Sequence, residues 1–378
     1  MTLAEKSPER IQSHTSRQSN LELMRIVAMV LIVAGHFGSH SGFLFPAEKL
    51  SANRLWVEFF EIGGNISVNV FVLLSGYFRI ESRGFRSEKL IRLWLQLFFY
   101  SLGIYLVFVL AGKDPLSFGE IFRRVLPVSF LQWWFASTFF VLTLFSPLLN
   151  RFLKSFSRKQ YLGFLALTCF CWCVMPTLTG QPFEGNHLLW FVFLYALAGY
   201  IRLYGVKTGF SAGKLIAMSF ACAVLTFFTV VLLDVLGMKS EYFESKRFYF
   251  YDIQRLPLLA ISLLLFLGFS RLRMKPSRTV NVIASAMFGV YLIHDHEYVR
   301  YFFWLDLFRN REHGDDPLLI LRFLGEILLV MAFCTLIELA RIHLLEKRYM
   351  PAVRRVAKVL DQKADAFFSG DEEHGGSC

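Results

Sequence analysis

Runs of about 18–22 residues with almost no charge recur along the whole chain, the length an α-helix needs to cross a ~30 Å hydrocarbon core. In lipid each segment must satisfy its own backbone N–H and C=O groups, so such runs fold as helices and the helices gather into a bundle. Of the 378 residues, 55% are hydrophobic, 42 are Phe and only 18% are charged. The sequence therefore predicts an all-α, polytopic membrane helical bundle of about ten transmembrane helices. They fall at 21–41, 59–79, 93–112, 127–147, 161–178, 187–204, 214–236, 255–270, 279–298 and 318–342. The fourth opens with "FLQWWF", an aromatic start that also suits an interfacial or re-entrant segment.

Basic residues orient the bundle. With the N-terminus inside, the inner segments hold 27 of the 40 Lys and Arg, an excess that puts both termini in the cytoplasm of a multi-pass plasma-membrane protein. The net charge of +11 is then a topology signal, and no nucleic-acid partner is expected. Residues 1–19 read as a polar cytoplasmic tail without the apolar core of a signal peptide. Residues 20–345 form the membrane domain. Residues 346–378 read as an amphipathic helix on the inner leaflet followed by a disordered end. Ser19 followed by Glu22 has the pattern of a capping box for the first helix. "CFCWC" places adjacent cysteines on different helix faces, which suits buried thiols, and no metal is expected. Nothing in the sequence marks an oligomeric state.

The first span contains "RIVAMVLIVAGH". Eleven positions make three turns plus about 20°, so Arg25 and His36 share one face, roughly 16 Å apart. Polar groups in a bilayer helix are costly and usually face an interior cavity, although a snorkelling arginine and a hydrogen-bonded histidine explain them without function. The second span adds Glu61, Asn65, Asn69 and Gly76 at helical spacing. Ser75 and Gly76 then lie at the depth of Arg25, where small residues also permit close packing. Arg83, Arg86, Lys89 and Arg92 follow, either as a solvated inner loop or as a dock for a polyphosphate. In the ninth span His294 lies as deep as His36, which predicts that the two meet at one level, with Tyr291 a turn below. Asp295 falls on another face, and no His–Asp pair is expected.

These segments, "NLELMRIVAMVLIVAGH", "NVFVLLSGYF", "WWFASTFFVLTLFSPLLN", "LWFVFLYALAGYIR" and "GVYLIHDH", resemble in order the membrane-bound acyltransferase family 3 over about 20–345. The resemblance implies transfer of an acyl group, acetyl by default, from acyl-CoA to a hydroxyl of a surface polysaccharide or glycolipid. It implies that His36 and Arg25 are essential. Lys89 and Arg92 stand where many members carry Arg-x-x-Arg, with a lysine point charge in place of the first fork.

The expected division of labour follows. Arg25, Ser75, Gly76, Tyr77, Arg83, Arg86, Lys89 and Arg92 serve the acyl-CoA end. His36 acts as general base or as acyl carrier. His294 orients the acceptor or stabilises the oxyanion together with Asn69. Trp133, Trp134 and Tyr291 contact the acceptor, unless the tryptophans belong to an interfacial belt. No bound cofactor is expected, acyl-CoA being a substrate. The rival reading is an exporter of an envelope glycolipid, disfavoured by the lack of visible inverted repeats.

Overall fold

The computed structural model describes residues 18–46, 49–82 and 84–369. The N-terminal tail, Arg83 and the end at 370–378 lie outside the described residues, as does the expectation of disorder there. Among the described residues, twelve helical segments of eight residues or more organise the chain. They are α1 (Ser19–His40), α2 (Ala52–Arg79), α3 (Ser87–Leu110), α4 (Phe118–Val125) and α5 (Trp134–Ser155). The helical run α6 (Arg158–Thr179), α7 (His187–Tyr204), α8 (Ala212–Gly237) and α9 (Leu256–Arg271) follow. The last three are α10 (Arg278–His294), α11 (Leu319–Arg341) and α12 (Lys347–Ser369). Among the described residues nine helical segments are long and apolar enough to cross a membrane. The ninth expected span, α10, is not among them: it has 17 residues and stops at the fully buried His294.

Packing separates a protein-facing centre from a lipid-facing rim. In α2, 67% of the apolar window is buried, against 22% in α6. The rim helices α3, α6, α8 and α11 leave Val107, Leu167, Phe220 and Leu328 exposed, as a surface solvated by acyl chains requires. At the centre α1 lies along α2 and touches α10 and α11, while α2 also packs on α7 and α9. Glycine makes the α1–α2 contact close. A Cβ on Gly63 would stand 2.8 Å from the Leu31 carbonyl oxygen, and one on Gly35 would stand 3.0 Å from the Gly64 nitrogen.

Side-chain caps start several helices. Ser51, Asn186, Ser211 and Ser277 accept from Arg54, Leu189, Lys214 and Val280 backbone N–H groups, filling donors a first turn leaves open. The capping box expected at Ser19 does not form. Ser19 is already helical, its hydroxyl donates to Asn281 Oδ1 at 3.0 Å and accepts from the Ser277 N–H at 2.9 Å. Glu22 is taken by Arg25. Tertiary partners thus outcompete the local cap and tie the start of α1 to that of α10. The fourth span also shifts: "FLQW" forms turns, and α5 begins at Trp134. The expected C-terminal amphipathic helix is α12, which packs on α3 with Asp361 accepting from the Ser87 N–H at 2.8 Å.

Candidate active site

The histidines of α1 and α10 meet. His36 Nδ1 lies 3.0 Å from His294 Nε2, and His294 Nδ1 lies 2.6 Å from the Val290 carbonyl oxygen. A carbonyl only accepts, so His294 Nδ1 carries a proton and, in the neutral ring, Nε2 offers its lone pair. His36 Nδ1 must then donate to it. The result is a fixed tautomer for His36, with the lone pair on Nε2, an atom with no hydrogen-bond partner among the described residues. The chain of bonds from the α10 backbone thus leaves His36 in the form a base or a nucleophile requires.

A cavity of about 530 Å³ opens beside this pair, lined by residues of α1 and α2, the 131–135 segment, α10 and the loop before α9. His36, Trp133, Trp134 and Tyr291 all border it. Among the walls that no sequence pattern marks as site residues are His40, Tyr251, Asp295 and Arg300. Asp295 comes close because α10 ends there and the chain turns: its Oδ1 lies 3.7 Å from His36 Nδ1, 3.8 Å from His40 Nε2 and 3.5 Å from Arg300 Nε. Helical projection placed it on another face, but it is the cap residue, where that projection ends. His36, His40 and Asp295 could offer one ligand atom each to a cation, all within 4.8 Å of one another. In this structure His36 Nδ1 is engaged by His294, and the Arg300 guanidinium stands against the carboxylate.

The polar stripe of α2 divides. Glu61 and Asn65 border the cavity, Asn65 donating to the Tyr251 carbonyl at 2.6 Å. Asn69 does not reach it. That side chain is wholly buried, donating to the Ile253 carbonyl at 3.0 Å and accepting from Trp190 Nε1 at 2.9 Å, so the expected oxyanion contact is replaced by a bridge from α2 to α7 and the loop before α9. Gly76 is a packing residue: a Cβ there would stand 2.5 Å from the Tyr195 carbonyl oxygen. Ser75 is buried beside it, and Tyr77 supports Arg202, whose guanidinium lies 5.1 Å above its ring.

Trp133 is buried, with its indole edge-on to His296 at 5.5 Å. Trp134 is half-exposed over His187 at 4.6 Å. An interfacial belt would leave both rings at the periphery, whereas both border the cavity.

At the opposite end of α1 the cations differ in their freedom. Arg25 donates from Nη1 to both Glu22 carboxylate oxygens at 2.8 and 2.7 Å and stacks on Phe78 at 5.5 Å. Arg92 is paired with Glu346 at 2.6 Å, and Glu346 also holds Arg341, so the expected phosphate contact meets a charge already balanced. Arg86 and Lys89 line a narrow cleft together with Arg79, Ser146 and Asn150. Arg79, which the sequence reading assigned no role, has no carboxylate partner among the described residues, and Arg86 and Arg25 stand near enough to act on its charge. The signal was its position closing the "SGYFR" string.

Helices long and apolar enough to cross a membrane, gathered around a cavity that His36 borders, define a class: helical membrane proteins with an internal, histidine-walled site. A model of the acyltransferase family 3 domain, described as an acyltransferase domain, matches residues 18–339, and the chain belongs to that family. No curated relative and no solved structure matches it.

Proposed function

We propose that the protein is an integral plasma-membrane O-acyltransferase, termini in the cytoplasm, that moves an acyl group from cytosolic acyl-CoA to a hydroxyl of an extracytoplasmic polysaccharide or glycolipid. The observation that carries this reading is the His36–His294 pair, 3.0 Å apart, with His36 at the wall of the cavity. It is supported by Arg25, three turns below on the same helix, and by Arg79, Arg86 and Lys89, which the end of α2 and the start of α3 bring to that level.

Arg79, Arg86 and Lys89 bind the donor's phosphates, with Arg25 contributing where the phosphate displaces Glu22. The thioester reaches His36. Nε2 then takes the proton of the acceptor hydroxyl as its oxygen attacks the thioester carbonyl; the carbon–sulfur bond breaks and the CoA thiolate leaves with the proton. In the alternative order Nε2 itself takes the acyl group and passes it on. In both, the cation that forms on His36 is stabilised by Asp295 at 3.7 Å, and Trp133, Trp134 and Tyr291 border the acceptor. No resident cofactor enters either order.

The test is a mass comparison of envelope glycans from cells with and without the protein, with acetyl-, succinyl- and longer acyl-CoA offered to membranes. Acyl groups appearing on the glycan only with the protein support the reading. Glycan translocation without any change in acylation overturns it in favour of an exporter.

A further inference from the structure

Glu61 borders the cavity, yet among the described residues its carboxylate has neither a hydrogen bond nor an ion pair. The cation that acts on it, Arg247, is committed to Glu58 at 3.2 Å and Asp234 at 3.6 Å. The α1–α2 contact holds it there. A Cβ on Gly38 would stand 2.6 Å from Glu61 Cγ and 3.0 Å from its Oε1, so glycine at 38 is what lets the side chain lie against α1. With Gly35 facing Gly64, the register brings the carboxylate to the level of His36.

An ionisable group carried inside a membrane bundle is costly enough to mark a substrate path. A carboxylate accepts hydrogen bonds and offers none, so its partner must be a donor. Asn65 is spent on the Tyr251 carbonyl and His40 and Arg300 lie beside Asp295, while the Tyr251 hydroxyl in the same wall makes no hydrogen bond to Glu61 or to any other described residue. The carboxylate is left open to a donor brought by a ligand, and Arg300 in the same wall opposes a cationic one. We propose that Glu61 is the acceptor-positioning residue, accepting hydrogen bonds from a sugar hydroxyl adjacent to the one acylated. The acceptor class is then a neutral sugar with a free neighbouring hydroxyl. This rests on the transferase reading above.

The experiment uses the purified full-length protein with acetyl-CoA as donor and methyl gluco- and galactopyranosides, with their monodeoxy derivatives, as acceptors. Glu61→Gln should raise the acceptor KM about tenfold or more, the loss of a charge-assisted hydrogen bond, an effect larger on the acceptor KM than on kcat. Glu61→Asp should recover part of it. In the wild type one deoxy position next to the acylated hydroxyl should bring the same penalty, and that penalty should vanish in Glu61→Gln. An unchanged acceptor KM, or a fall in kcat at constant KM, overturns the proposal. So does a wild type that acetylates the glycosides without depending on any hydroxyl next to the acylated one, a result that needs no variant to fold. A wild type that leaves acetyl-CoA untouched removes the transferase premise itself.

Discussion

His36 Nδ1 and His294 Nε2 approach to 3.0 Å across 258 positions of sequence, and the Val290 carbonyl behind His294 fixes the direction of the hydrogen bond between them. His294 is thereby a positioning residue. It sets which nitrogen of His36 carries the lone pair, without itself having to touch the acyl group.

A double-mutant cycle reads this dependence. His294→Ala should lower kcat about 10- to 100-fold, in the range of a misoriented general base, while His36→Ala abolishes transfer. The double variant should be no worse than His36→Ala alone. His294→Gln, whose amide oxygen can accept from His36 Nδ1, should recover part of the loss. Fully multiplicative losses, measured through a residual activity of His36→Gln, would place the rings in separate roles.

Arg79 separates donor affinity from chemistry. Arg79→Ala should raise the KM for acyl-CoA about tenfold or more and leave kcat close to normal. Acyl-pantetheine, which lacks the nucleotide phosphates, should be insensitive to the substitution. Equal loss with both donors would assign Arg79 to packing under Phe139, over whose ring its guanidinium lies at 5.8 Å.

Asn69→Ala should act on the fold rather than on turnover. It leaves the buried Trp190 Nε1 and the Ile253 carbonyl without partners, a cost of about 1–3 kcal/mol each before any relaxation. A lowered melting temperature with unchanged kcat/KM per folded molecule is the expected result. Unchanged melting with a large fall in kcat would return Asn69 to the reaction.

How legible was this in the sequence? Lengths of apolar runs and the helical period suffice for the bundle, and depth counting suffices to bring His36 and His294 together, because both lie on regular helices whose entry points are visible. The same arithmetic failed at Asp295, the residue on which α10 ends. It failed at Ser19, where a partner from another helix replaced the local cap. Asn69 and Glu61 belong to one stripe, and no pattern within α2 distinguishes the residue that meets Trp190 from the one that meets the cavity. That difference is made by α7, whose place beside α2 is a tertiary fact. The cavity walls at Tyr251 and Arg300 come from loops, which carry no period to read.

The central claim is that His36 performs acyl transfer within this cavity, and the most direct measurement is transfer from radiolabelled acetyl-CoA by the purified protein in a bilayer, wild type against His36→Ala. The account expects label on a sugar acceptor with the wild type, none with His36→Ala, and the same melting temperature for both. Transfer by His36→Ala at the wild-type rate would contradict it.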